Sequence, residues 1–180
     1  MPLRGTPVPR RQFGNTCAVD LNSYRFRSGW EVDAPPADVY RVLEAVDQYP
    51  EWWLEVRATQ RLADDRYRFR IRSLLPYDLA FVGTQWERDP RAGVLSIRME
   101  GDLEGCSRWT ISPKGSLTTV TFDEEVEVRK SLLRRLAVIA RPAYKWNHAV
   151  MMQHCRSGLR ACLAGMRLAD SREDAQDQTE

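Results

Sequence analysis

Apolar and polar positions recur with two different periods along this chain, and the changes of period mark its elements. Residues 22–32 alternate between apolar and polar side chains, which predicts a half-buried strand. A helical period follows over 36–46, where Pro35 and Pro36 suit a first helical turn. Asp47 is a plausible N-cap for a second short helix, from Tyr49 to Leu54.

After these helices, apolar and polar residues again alternate with a period of two, almost to Val128, which is typical of strands. Glycine, proline and aspartate clusters divide this stretch at positions that are typical of turns. The predicted strands are Val56–Leu62, Arg66–Arg72, Leu79–Arg88, Val94–Glu100, Cys106–Ser112 and Leu117–Val128. An antiparallel sheet of this size must curl, and its apolar face must be covered by another element.

The last long pattern, Tyr144 to Leu168, is the only element long enough to cover that face. Its apolar stripe has helical spacing and is rich in sulfur, which adapts to irregular surfaces. We predict that an apolar-basic segment, 130–141, forms a separate element and that Pro142 breaks or kinks the chain after it. The elements together predict an α+β fold, in which about seven curved antiparallel strands wrap round a long C-terminal helix, with two short helices after the first strand.

Composition and charge limit the classes of function. A net charge of +2 argues against a nucleic-acid binder, because such domains are usually far more basic. The charge is unevenly distributed, and we predict a flexible basic leader over 1–21, a domain over 22–169 and an acidic disordered tail over 170–180. No apolar run is long enough to span a bilayer. Four widely spaced cysteines favour free thiols in a cytoplasmic protein.

Four stretches resemble a known family. Trp30-Glu-Val-Asp-Ala-Pro-Pro-Ala-Asp-Val-Tyr-Arg-Val-Leu and Val46-Asp-Gln-Tyr-Pro-Glu-Trp-Trp are similar to the opening of the polyketide cyclase/dehydrase-like branch of the START/Bet v 1 (SRPBCC) superfamily. Gly101-Asp-Leu-Glu-Gly-Cys-Ser-Arg-Trp and Thr118-Thr-Val-Thr-Phe fit the same pattern. The resemblance implies a helix-grip fold with a cavity between sheet and helix. It carries no catalytic residue over, because the superfamily includes lipid carriers, quinone-binding proteins, hormone receptors and aromatase/cyclases without one shared catalytic motif.

Two titratable residues are candidates for catalysis. Glu124 shares a strand face with Val120, Phe122 and Val126, so an inward face would place a carboxylate in an apolar cavity. His148 lies on the inner stripe of the long helix, one turn after Tyr144, and could move a proton or hold a ligand oxygen. The alternatives are an outward or arginine-paired Glu124 and a merely structural His148. His154 lies off the stripe, and we expect it to be solvated.

The remaining candidates are ligand contacts. Tyr67, Tyr77 and Arg72 could supply polar contacts. The predicted apolar contacts, which plain core packing would explain equally well, are Phe69, Phe81, Met99, Trp109, Phe122, Met151, Met152, Cys155 and Leu159.

Three functions are consistent with these patterns. The first is a carrier or sensor that binds a lipid, isoprenoid, quinone or polyketide-like molecule. The second is a cyclase or dehydratase that uses Glu124 and His148, and the third is a toxin-like or partner-binding module. We expect no metal and no cofactor, because ligand spacings and phosphate-binding loops are missing from the sequence. The segment 130–141 could touch an anionic membrane transiently, although a solvated helix face would also explain it.

Overall fold

The computed structural model describes residues 23–72, 77–129 and 131–177, the last of these ranges with side chains only over 142–169. The elements in chain order are β1 Ser23–Val32, α1 Pro36–Glu44, a 3₁₀ turn Val46–Gln48, α2 Tyr49–Trp52, β2 Val56–Ala63, β3 Arg66–Arg72, β4 Asp78–Asp89, β5 Val94–Gly101, β6 Leu103–Lys114, β7 Leu117–Val128 and α3 Ser131–Asp177.

The seven strands form one antiparallel sheet in the order β1-β7-β6-β5-β4-β3-β2. Neighbouring strands from β2 to β7 are consecutive in the chain, and β1 returns to pair with β7 along its whole length, from Ser23 opposite Glu127 to Val32 opposite Thr118. The sheet curves round α3, while α1 and α2 close one end. This architecture confirms the predicted α+β helix-grip fold.

Glycine permits the tight corner between β5 and β6. Gly101 has a φ of 140°, and a Cβ there would lie 2.8 Å from the carbonyl oxygen of Ala80 on β4. Asp102, between the two strands, donates its N–H to the carbonyl of Ala80, and its own carbonyl accepts the N–H of Arg129. The corner therefore ties the β5–β6 turn to β4 and to the end of β7.

The long helix packs its predicted stripe against the concave face of the sheet. Met152, Cys155, Leu159 and Leu163 are buried, and Cys155 and Leu159 have no exposed surface. Beneath them lies a core that includes Trp30, Val32, Val39, Leu43, Trp109 and Val120. Over the described ranges, no helix combines the length and the apolar character needed to cross a membrane.

Helix α3 is longer than the pattern from Tyr144 to Leu168 predicted. It begins at Ser131 and contains Pro142, so the prediction of a separate segment before a break was wrong. An interior proline removes one backbone hydrogen bond at a cost of about 3 kcal/mol, which packing of the later stripe can offset. The backbone stays helical to Asp177, into the predicted 170–180 tail. The leader 1–21 and the side chains of 130–141 lie outside the described residues, and the domain division stays a prediction.

Candidate functional site

A cavity of about 170 Å³ lies between the concave face of the sheet and the N-terminal half of the described α3 side chains. Its wall is mostly aromatic and aliphatic. Successive residues of a strand face opposite sides of the sheet, so the apolar residues face α3 and the charged residues between them face solvent. The cavity brings together both predicted catalytic residues and many of the predicted contacts, namely Phe69, Tyr77, Phe81, Met99, Trp109, Phe122, Glu124, His148, Met151 and Met152.

Cross-strand pairing positions the aromatic part of this wall. Phe69 on β3 faces Phe81 on β4, and their stacked rings have centroids 5.0 Å apart. Trp109 on β6 faces Phe122 on β7 with a centroid distance of 4.4 Å. These pairs make a rigid, apolar inner surface, as aromatic cross-strand neighbours generally do.

The predicted acid/base residues meet in this wall. Nε2 of His148 lies 3.1 Å from Oε2 of Glu124, and their side chains are 15% and 12% exposed. Phe26 on β1 is the cross-strand neighbour of Glu124, and its ring stacks on the imidazole at 3.8 Å with a 9° interplanar angle. Strand register and helix phase thus hold the imidazole between a carboxylate and an aromatic face.

This arrangement orients the imidazole. A neutral His148 that donates its Nε2 proton to Glu124 keeps Nδ1 as an acceptor, which can take a proton or hold a hydroxyl group. The outward alternative for Glu124 is wrong, since the residue lines the cavity and its neighbour is a histidine.

Four predicted ligand contacts do not line the cavity. Arg72 belongs to the outer face of β3, where it lies 3.7 Å from Asp78, because the inward positions of that strand are the odd ones. Cys155 and Leu159 are fully buried in the packed core farther along α3, and burial raises the pKa of the Cys155 thiol well above its usual value. Tyr67 lines a neighbouring depression. Their assignment as direct cavity contacts disagrees with this geometry.

Sequence reasoning also missed several polar wall residues. Asn147 on α3 is buried and lines the cavity. Its position three residues after Tyr144 is a helical spacing that could have found it. Ser107 and Gln85 are inward strand positions occupied by uncharged polar residues, and alternation alone would have placed them there.

A second buried carboxylate contacts α3 outside the cavity. Glu55 follows α2, its side chain is 3% exposed, and its Oε1 lies 2.6 Å from Nδ1 of His154. The prediction that His154 is solvated holds only in part, because its side chain is 38% exposed and also bridges α3 to the chain before β2. Within the described ranges, no group of three or more side chains has the arrangement of a metal site.

Comparison with known proteins agrees with this architecture. Residues 24–160 match the family model described as polyketide cyclase / dehydrase and lipid transport. No protein with a curated description matches the sequence significantly.

Three solved structures illustrate the similarity of fold. TTHA0849 from Thermus thermophilus is 17% identical, with a TM-score of 0.71 over 79% of this chain and 99% of that one. A START superfamily protein from Mycobacterium smegmatis is 18% identical, with a TM-score of 0.65 over 79% and 98%. The Zhui aromatase/cyclase from Streptomyces sp. R1128 is 12% identical, with a TM-score of 0.66 over 79% and 94%. From its match over residues 24–160, the chain belongs to the polyketide cyclase / dehydrase and lipid transport family.

Proposed function

We propose that this protein binds a small, mostly apolar molecule in the cavity between the sheet and α3, as a carrier or sensor. The observation that carries the proposal is the cavity itself, an apolar enclosure of about 170 Å³ in a family described by polyketide cyclisation and lipid transport. Apolar cavities of about 150 Å³ in protein cores bind benzene-sized guests. The guest belongs to the lipid, isoprenoid, quinone or polyketide-like class, and a cytoplasmic location stays a prediction.

Native mass spectrometry of the freshly purified full chain tests this proposal directly. We expect a mass increment that disappears in denaturing solvent, and titration calorimetry with hexylbenzene should show saturable binding. Met151→Trp should remove that binding, because residue 151 lines the cavity. Met166→Trp, farther along the same helix and outside the cavity lining, is the matched control. Failure of the wild-type chain to bind any apolar probe would overturn the proposal.

A cyclase or dehydratase is the second candidate, and the observation in its favour is the 3.1 Å contact between Glu124 and His148 inside the cavity. An aldol cyclisation needs a base that removes a proton next to a carbonyl, and positioned bases typically contribute about 10²–10⁴-fold. The pair could perform that step on a ketone held against Phe26.

Deuterium exchange at the α-carbon of 2-tetralone, followed by NMR in D₂O, tests whether the pair is catalytic. We expect the wild-type chain to accelerate exchange, and Glu124→Gln and His148→Gln to reduce that acceleration at least tenfold. Glu125→Gln changes the outward neighbour, which pairs with Arg25, and should leave exchange unaffected. Exchange at the rate of buffer alone, or equal loss in all three variants, would contradict catalysis by this pair.

A further inference from the structure

The cavity shares part of its wall with a second depression at the end of the sheet near α1. This depression has a volume of about 320 Å³. Residues that line both spaces are Glu44, Val46, Phe69, Gln85 and Ile97. We call the second space the mouth, and define it by Tyr67, Gly83, Gln85, Arg88 and Glu44.

Strand register explains how the mouth forms. Tyr67 on β3 faces Gly83 on β4, and Gly83 in turn faces Met99 on β5. A Cβ at Gly83 would lie 2.8 Å from Cε2 of Phe69 and 3.2 Å from Cδ1 of Ile97. The missing side chain therefore leaves room for these two side chains, which line the cavity on one side and the mouth on the other.

Two ion pairs lie at the rim of the mouth. Nε of Arg88 lies 2.5 Å from Oε1 of Glu44, and Arg61 lies 3.6 Å from Asp47. The Arg61 guanidinium also lies over the ring of Tyr67, at 5.1 Å from its centroid. Because both arginines are paired and Asp64 and Asp65 also line the mouth, the rim does not favour an anionic ligand group.

Two uncharged polar groups in the mouth are available to form hydrogen bonds with a ligand. Within the described part of the chain, neither the hydroxyl of Tyr67 nor the side-chain amide of Gln85 makes a hydrogen bond, and both residues are half-buried. Burial raises the pKa of Tyr67, which keeps its hydroxyl a neutral donor and acceptor over the physiological range.

The size of the cavity makes this arrangement relevant to the ligand. Drug-sized ligands usually occupy pockets of about 300–1,000 Å³, whereas the cavity alone has about 170 Å³. A longer molecule can be accommodated only if part of it extends beyond the cavity, and the mouth is adjacent to it. Because Phe69, Gln85 and Ile97 line both spaces, a ligand that reaches the mouth must pass beside these side chains.

We propose that the mouth is a head-group subsite: the ligand is an elongated amphiphile whose apolar body fills the cavity and whose uncharged hydroxyl or carbonyl group binds Tyr67 and Gln85. This assignment rests on the proposed ligand-binding function and names the class of its ligand. The inner pair Glu124 and His148 lines the same cavity, and a head group bound there instead would reverse the orientation of the ligand.

Titration calorimetry with 4-hexylphenol and hexylbenzene tests the orientation, because the two probes differ only in the hydroxyl group. Tyr67→Phe should weaken 4-hexylphenol binding roughly fivefold, and Tyr67→Phe with Gln85→Met at least tenfold, while hexylbenzene affinity changes less than twofold. Tyr40→Phe, which removes the hydroxyl of a buried tyrosine that lines neither the cavity nor the mouth, is the matched control and should leave both affinities within twofold.

The outcomes separate this inference from the function on which it rests. If wild type binds neither probe, the proposed function fails with it. If wild type binds both probes but Tyr67→Phe and Tyr40→Phe behave alike, or only His148→Gln discriminates between the probes, the head-group assignment is overturned and ligand binding stands. A fluorescence melt of each variant, expected within about 2 °C of wild type, verifies that the fold is intact.

Discussion

The contact between α2 and α3 depends on a glycine, Gly158. Replacing a helical glycine with alanine usually stabilises a protein, but at this position we expect it to destabilise the fold. A Cβ on Gly158 would lie 1.8 Å from the carbonyl oxygen of Trp52 and 2.9 Å from its carbonyl carbon. A backbone carbonyl cannot rotate away as a side chain can, so Gly158→Ala must push one helix off the other.

The expected magnitude is the balance of two effects. Alanine in a helix interior is favoured over glycine by about 1 kcal/mol, whereas forcing extra atoms into a packed contact costs about 1–3 kcal/mol and occasionally more. The approach at Gly158 is far inside van der Waals distance, so we expect a net loss of roughly 2 kcal/mol in the free energy of unfolding. For a domain of this size that corresponds to a fall in Tm of roughly 4–8 °C.

Gly165 in the same helix is the matched control, because nothing lies within 4 Å of a Cβ placed there. Gly165→Ala should raise the free energy of unfolding by about 0.5–1 kcal/mol. Urea denaturation followed by tryptophan fluorescence and by circular dichroism measures both variants. If Gly158→Ala stabilises the protein as much as Gly165→Ala does, the close packing of α2 on α3 is refuted.

Three further predictions concern the interior of the protein. Leu159→Ala should lower the free energy of unfolding by about 2–5 kcal/mol in urea denaturation, because a fully buried side chain leaves a cavity in the core. His154→Ala should cost about 1–3 kcal/mol in the same assay, because it leaves the Glu55 carboxylate buried without its partner. Iodoacetamide at pH 8 should modify Cys106 but not Cys155 in the folded chain, and the Cys106 rate should rise towards pH 10, since burial raises the pKa of that thiol and only the thiolate reacts.

Controls for these predictions lie on the same elements. Leu168→Ala and Gln153→Ala remove exposed side chains of α3 and should each change the free energy of unfolding by less than about 0.5 kcal/mol. Equal effects of Leu159→Ala and Leu168→Ala would contradict the packing of the helix stripe. Peptide mapping after unfolding in urea should show Cys155 modified, and modification in the folded state would mean that its burial is wrong.

The elements and their order could be predicted because they depend on local periodicity. Alternation over Leu117 to Val128 places Glu124 on the same face as Val120, Phe122 and Val126, and helical spacing places His148 on the inner stripe of α3. The meeting of these two residues was an open hypothesis, since a contact between distant segments depends on the register of β1 against β7 and on the rotation of α3.

Other features could not be predicted, because they too depend on contacts between segments that are distant in the chain. His154 lies off the stripe by spacing, but the chain between α2 and β2 brings Glu55 to it. Tyr67 was predicted to supply a polar contact to the ligand, yet it lines the separate mouth, with Gly83 opposite it. Helix α3 continues through Pro142 because the packing of its later turns outweighs one missing hydrogen bond.

The periodicity of apolar residues along the sequence alone thus determined an α+β chain with seven strands, two short helices and a long covering helix. It could do so because the direction of each side chain follows from local backbone geometry. Tertiary structure alone decided the size of the space between sheet and helix, the Glu124–His148 contact and the polar mouth at Tyr67. These depend on distances between segments far apart in the chain, which are set by sheet curvature, strand register and the volume that packed side chains leave unfilled.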